Sequence, residues 1–307
     1  MKEQKPILFI TAGEPLGIGP EVTVKALRDK RVQKACTPIV IGEPTTLYKA
    51  GFTPDLAGLI PIESVYEKPA TVQPSRWGGD ISFKALKLAC KLAHKHKTSV
   101  VTSPVSKQSW AKAGVHFTGH TEFLREYYGK TALMMFVSGQ IRCALVTEHF
   151  AIADLPNTLS KARIIQAGKD FAKALKRLNS SNPHIAVSTL NPHGGDNGRF
   201  GNEENKIILP AIKTLQKSGI HIQGIYPTDS LWDKHVKGNF DGILCMYHDQ
   251  ALLGLKLAAK EPIVHITAGL EFLRTSPTHG TAFDIAGKNI ADPASMIAAI
   301  LFTAHKK

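Results

Sequence analysis

Three of the thirteen histidines stand just beyond short apolar runs: His149 ends RCALVTEH, His193 follows HIAVSTLNP, and His248 follows GILCMY. Neutral imidazoles from three separate strands can hold a divalent metal and leave positions open for a substrate, as a catalytic metal site requires. Any one histidine also fits an ordinary surface or core residue, and spacing along the chain does not by itself make the three converge. A second chemistry is carried by cations and a hydroxyl. His120 and Thr121 lie beside Gly119 in FTGHTEF, Lys256 lies beyond HDQALLGLK, and Arg274 lies in GLEFLRTS. Arginine and lysine are the usual partners of phosphate and carboxylate, although each of these residues also fits a solvated surface charge.

Glycine-rich stretches accompany both groups. In TAGEPLGIGPE, Gly13, Gly17 and Gly19 precede Pro20, and proline in the first turn is a helix start signal. The order is neither G-x-G-x-x-G nor G-x-x-x-x-G-K-[ST], so the usual dinucleotide and Walker A signatures are missing, and a tight turn is the plain reading. NPHGGDNGRFGNEE crowds glycines, acids and His193 after an apolar run, and HGTAFDIAGKNIADPASMI joins a turn-prone start to an apolar helix. Each of these is either a loop or the wrapping of a ligand.

The elements that must position these residues alternate. Nine short apolar runs, ILFITA, PIVIGE, SVVTSPV, ALMMFVS, RCALVTE, HIAVSTL, HIQGIY, GILCMY and PIVHITA, are separated by amphipathic stretches, a pattern that predicts an α/β protein with a largely parallel sheet. The pair around Gly139 is too closely spaced for a crossover and predicts an antiparallel hairpin. Histidines just past parallel strands sit at the edge where ligands collect in such sheets. No repeat, low-complexity tract or Pro/Ser-rich linker divides the chain, so a second domain has to be an elaboration of the same sheet, with a division expected near residue 125 and a return near 265.

Composition excludes other classes. The 307 residues, 43% hydrophobic and 21% charged, describe a globular protein able to bury a large core. The net charge of +13 raises the question of nucleic acid, but Lys84, Lys87, Lys91 and Lys95 fall opposite Phe83, Leu86, Cys90 and Ala93, which is the solvated face of a helix. SKARIIQAGKDFAKALKRL reads the same way, with Ile164, Phe171, Leu175 and Leu178 as its buried stripe. No nucleic-acid partner is expected. The apolar runs are too short for a signal peptide or a membrane span, so a cytoplasmic protein is expected. Cys36, Cys90, Cys143 and Cys245 form no CxxC pair and read as reduced residues.

Taken together, GEPLGIGPE, TSPVSK, FTGHTEF, NPHGGDNGRFGNEE, MYHDQ and RTSPTHGTAFDIAG, in this order along nearly the whole chain, resemble the 4-hydroxythreonine-4-phosphate dehydrogenases of vitamin B6 synthesis. The resemblance implies an isocitrate/isopropylmalate dehydrogenase-like α/β fold of two α/β/α subdomains with a cleft between them. Residues 1–125 plus 265–307 would form the cofactor side and 126–264 the metal and dimer side. It implies a divalent metal (zinc, magnesium or cobalt) on His149, His193 and His248. Substrate contacts fall on His120, Thr121, Lys256, His265 and Arg274, and catalytic roles on Lys256 and Asp229. NAD or NADP would be held without the Rossmann pattern by His279, Gly280, Thr281 and Asp284. Members are homodimers with the site at the subunit interface. The implied reaction oxidises 4-phosphooxy-L-threonine to 2-amino-3-oxo-4-phosphooxybutanoate, which loses CO2 to give 3-amino-2-oxopropyl phosphate.

Three residues depart from the family pattern: Glu14 stands for Asp, Ala251 for Gly, and His265 for an Asn that touches substrate. A related acid phosphate, threonate or erythronate 4-phosphate, is therefore an alternative substrate. A phosphate acyltransferase-like enzyme, which needs no three-histidine metal site, is an alternative of a different class.

Overall fold

The protein is described by a computed structural model over residues 5–128, 132–178 and 180–306. In chain order the first elements are β1 (Ile7–Thr11), α1 (Gly19–Leu27), α2 (Lys30–Ala35), β2 (Thr37–Gly42), α3 (Pro44–Lys49), β3 (Gly58–Pro61), α4 (Arg76–His96), β4 (Ser99–Thr102), α5 (Lys107–Lys112) and α6 (His120–Tyr127). There follow β5 (Leu133–Ser138), β6 (Ile141–Leu145), α7 (Leu155–Thr158), α8 (Lys161–Arg177), β7 (Ile185–Ser188), α9 (Leu209–Lys217), β8 (Ile222–Tyr226), α10 (Thr228–Val236), β9 (Gly242–Cys245) and α11 (His248–Ala258). The chain ends with β10 (Val264–Ala268), β11 (Arg274–Ser276) and α12 (Ala294–Ala304).

Two compact units divide these elements. The first takes Met1–Gly129, Val264–Ile266 and Leu270–Lys307; the second takes Lys130–Ile263 and Thr267–Gly269. In the first unit the strands run in the order β3-β2-β1-β4-β11-β10, and β1 pairs in parallel with both β2 and β4. In the second the order is β5-β6-β9-β7-β8, parallel except for the antiparallel hairpin of β5 with β6.

All nine apolar runs form strands. The two strands that no run announced, β3 (GLIP) and β11 (RTS), are short, and β11 contains no apolar side chain; it exists because β4 offers a parallel partner, pairing Arg274 with Val100.

The helices follow their sequence signals. Pro20 opens α1, and Ser75 caps α4 by accepting from the Gly78 amide at 3.0 Å. Leu86, Ala89, Cys90 and Ala93 of α4 are fully buried while Lys87, Lys91 and Lys95 are exposed. α8 likewise buries Ile164, Phe171 and Leu175. The first unit's core joins Phe9, Ile41, Trp77, Ile81, Trp110 and Phe123; the second's joins Phe136, Leu145, Leu231, Trp232, Ile243 and Leu255. All four cysteines are buried and free. Among the described residues, no helix is long and apolar enough to cross a membrane.

Candidate active site

In the first unit, β11 and β4 bring a guanidinium into the core. Arg274 is 1% exposed, and its Nε and Nη2 donate to Thr102 Oγ1 at 3.1 and 2.6 Å. Its Nη1 lies 3.3 Å from His265 Nδ1, which is also 3.2 Å from Ser276 Oγ. A guanidinium only donates, so Nδ1 is the acceptor and the neutral ring of His265 carries its proton on Nε2. His120, at the start of α6, stands edge-on to Trp110 with ring centroids 5.7 Å apart.

Burial sets the charge states of this cluster. It lowers Arg274 to about 10. It also holds His120 well below its usual value, with the charge of the Arg274 guanidinium acting in the same direction. His120 is therefore neutral, and its Nε2 is buried without a hydrogen-bond partner among the described residues. A buried cation with imidazole nitrogens beside it is the donor set that an oxyanion needs. Thr121 is half-buried on α6 beside His120.

In the second unit, β6, β9 and β7 lie side by side and parallel, so the segments after them leave at the same edge. Pairing continues past the strand ends: the Thr147 amide and hydroxyl both donate to the Met246 carbonyl, at 3.1 and 2.6 Å. Two residues beyond that tie, the rings of His149 and His248 are 5.2 Å apart between centroids. His248 Nδ1 donates to Asp249 Oδ1 at 2.7 Å, which leaves the Nε2 lone pair for a ligand; a carboxylate behind a ligating histidine is the usual support of a metal site. This pair fits a divalent ion as two of its ligands.

His193 is exposed and is not gathered with them: among the described residues, no three metal-ligating side chains form a group. It opens a run of left-handed residues, with φ of 52° at His193, 70° at Gly194, 80° at Gly195, 44° at Asp196 and 56° at Asn197. The glycines here answer the backbone, since a Cβ at Gly195 would meet the Gly201 carbonyl at 2.8 Å.

The acids of the same loop do hold its base. Glu204, 1% exposed, accepts from the amides of Leu190 and Asn191 at 2.9 and 2.7 Å, and Asn191 Nδ2 donates to both Glu204 and Glu203. Gln250 of MYHDQ ties the strand ends together. Its Oε1 accepts from Met246 N and Ser188 Oγ at 3.0 Å each, and its Nε2 donates to the Thr189 carbonyl at 2.7 Å and to Thr228 Oγ1. Thr102, Ser276, Glu204 and Gln250 were not singled out from the sequence. All four lie inside quoted motifs, which is the one signal that marks them.

The other expected residues are more open. Lys256 on α11 and Asp229 on α10 are exposed, and Asp229 accepts from the Ser230 amide. His279 Nδ1 faces the Gly280 carbonyl at 3.2 Å and so carries the proton, while its Nε2 is a buried acceptor with no partner among the described residues. A Cβ at Gly280 would meet nothing within 4 Å, and Asp284 is exposed. An orphaned acceptor beside open space fits a ligand that brings hydroxyl or amino donors, as a nucleotide does.

Comparison with known proteins identifies the family. Residues 25–303 match the family model described as pyridoxal phosphate biosynthetic protein PdxA. The chain is 38% identical over 329 residues to 4-hydroxythreonine-4-phosphate dehydrogenase of Caulobacter vibrioides, covering 97% of this chain and 96% of that one. It is 34% identical to a protein of Oceanobacillus iheyensis provisionally named D-threonate 4-phosphate dehydrogenase, covering 97% and 96%. The crystal structure of the Klebsiella pneumoniae 4-hydroxythreonine-4-phosphate dehydrogenase superposes with a TM-score of 0.87 at 29% identity, covering both chains fully. Isocitrate dehydrogenase of Methylococcus capsulatus, at 13% identity and a TM-score of 0.50 over 98% of this chain and 86% of that one, shares the fold. The chain belongs to the PdxA family of pyridoxal phosphate biosynthetic proteins.

Proposed function

We propose that this protein is an NAD(P)-dependent, divalent-metal-dependent dehydrogenase that oxidises 4-phosphooxy-L-threonine at C3 in pyridoxine 5'-phosphate synthesis. The observation that carries this reading is the fully buried Arg274 flanked by His265 and His120, in a chain similar over its whole length to dehydrogenases named for a phosphorylated amino acid.

In this reading Arg274, His120, Thr121 and His265 bind the substrate's oxyanions and hold its carbon skeleton still. Lys256 adds a mobile cation. Hydride leaves C3 for the nicotinamide while the C3 hydroxyl proton passes to a base, a role assigned to the Asp229 carboxylate. The resulting 2-amino-3-oxo-4-phosphooxybutanoate loses its C1 carboxylate as CO2, and the Lys256 ammonium returns a proton to C2, giving 3-amino-2-oxopropyl phosphate. His149 and His248 would hold the metal with His193 as third ligand, and a bound ion supplies Lewis acidity for both the alcohol and the enolate charge. His279, Gly280, Thr281 and Asp284 receive the adenosine half of NAD or NADP, with His279 Nε2 accepting from the nucleotide.

A homodimer belongs to the same proposal. Leu253 and Leu257 project from α11 at 65% and 81% exposure, one helical turn apart, and a second copy covering them would also offer each His149–His248 pair another His193 loop. Four free, buried cysteines support a reducing, cytoplasmic setting.

A second substrate, D-threonate or erythronate 4-phosphate, is favoured by the Oceanobacillus relative and by His265. One assay tests both: purified protein with each four-carbon phosphate, NAD and NADP, with and without a chelator, followed by NADH or NADPH absorbance. Chelator-sensitive turnover of 4-phosphooxy-L-threonine is expected. Turnover of a threonate or erythronate phosphate alone would move the assignment to the second substrate, and a chelator-resistant activity requiring coenzyme A would overturn the dehydrogenase reading.

A further inference from the structure

We propose that Glu21 and Lys25 of α1 are positioning residues for the nucleotide, acting by clamping the segment that carries His279, Gly280, Thr281 and Asp284. The proposal rests on the assignment of that segment to NAD(P).

Residues 279–293 form no helix or strand, and two of their non-glycine residues, Ala282 and Asn289, take left-handed φ values of 41° and 58°. Such a segment keeps one shape only if something outside it holds it. The ties come from α1 and the turn before it. At one end of the segment, the Ile18 amide donates to the Thr281 carbonyl at 2.9 Å, and a Cβ at Gly17 would meet that same oxygen at 2.7 Å. At the other end, Lys25 Nζ donates to Asn289 O at 3.0 Å, Ala291 O at 2.9 Å and Glu21 Oε1 at 2.9 Å, which uses all three ammonium protons. Glu21 Oε1 also accepts from the Ala291 amide at 2.8 Å.

The helix supplying this clamp is itself fixed, since every residue of α1 but Lys25 is buried. Gly17 in GEPLGIGPE therefore serves a close approach by the protein's own backbone at Thr281. The ties fall at Thr281, inside the stretch from His279 to Asp284, and at Asn289 and Ala291 just beyond it, so loss of the latter leaves the nucleotide to order more of the segment as it binds, at a cost in affinity.

The test uses the full-length protein and NAD+ alone, by titration calorimetry, with amide exchange over residues 279–291 as a second readout. Lys25→Met is expected to weaken NAD+ binding about tenfold and Glu21→Gln about threefold, as for lost charge-assisted hydrogen bonds. Exchange in the segment should quicken, binding of inorganic phosphate should stay within about twofold, and Lys25→Arg should recover most of the affinity. If Lys25→Met does not fold, Glu21→Gln carries the test. Unchanged NAD+ affinity in the folded variants, or an equal loss of phosphate affinity, overturns the positioning role while leaving the nucleotide assignment intact. Failure of the unaltered protein to bind NAD+ or NADP+ removes both.

Discussion

The cation cluster of the first unit and the imidazole edge of the second are built in opposite ways. Arg274 and His265 are 1% and 9% exposed and make several hydrogen bonds to neighbouring strands, whereas the His248 side chain is 37% exposed and His149 and His193 are exposed outright. Burial readies the first group, keeping His120 neutral and Arg274 wrapped by Thr102. In the second group a carboxylate, Asp249, orients His248, and strand pairing through Thr147 and Met246 brings His149 alongside. An oxyanion pocket can be finished inside one packed unit because its parts are strands and helices. A metal site at the edge of a sheet draws on the loops that follow the strands, which the core holds less tightly.

Substitutions that separate these two modes should differ in size and kind. His248→Ala is expected to lower kcat/KM about a thousandfold, the several kcal/mol that metal catalysis supplies, with metal content falling in elemental analysis and thermal stability nearly unchanged. Full metal content in the variant would break the comparison at its exposed side.

Glu14 shows what burial does in the first unit. It is 0% exposed and Gly78 packs against it, so desolvation lifts its pKa from 4.5 to about 7, partly offset by hydrogen bonds from Ser109 and Leu16. A raised carboxyl pKa means that the folded state holds the proton more tightly, so this contribution is whole below about pH 4.5 and lost as pH rises through about 7. Glu14→Gln should abolish that fall, leaving the variant roughly 3 kcal/mol better than the parent above pH 8 in denaturant titrations. Identical pH profiles for the two proteins would contradict it.

Arg274→Lys should have the smallest of the three effects: KM for the phosphorylated substrate rising tens of fold with kcat changed far less, because one ammonium nitrogen cannot reproduce the planar fork by which Nε and Nη2 meet Thr102 and Nη1 meets His265. An equal drop in kcat would place Arg274 in the chemical step.

Much of this was legible beforehand, and for physical reasons. The amphipathic stripe of α8, with Ile164, Phe171 and Leu175, shows in the sequence because helical period alone decides which side chains face inward. β11 was hidden because its three residues, Arg274 to Ser276, are all polar, and the strand forms only where β4 is already in place. The role of Gln250 was hidden for a similar reason: its four partners lie on Ser188, Thr189, Thr228 and Met246, which no local pattern brings together.

By itself, the order of residues determined the alternation of strands and helices, the hairpin at Gly139, and which side chains had the chemistry to hold a metal or an oxyanion. Those are properties of short windows, where periodicity and residue type suffice. Tertiary structure decided the partnerships: Thr102 under Arg274 across 172 residues, Glu21 on Ala291 across 270, and His149 rather than His193 beside His248. Strand order and register set the first and the third, and the placement of α1 against the segment before α12 sets the second; all follow from how whole elements pack, with each distant contact paid for only when the unit is complete.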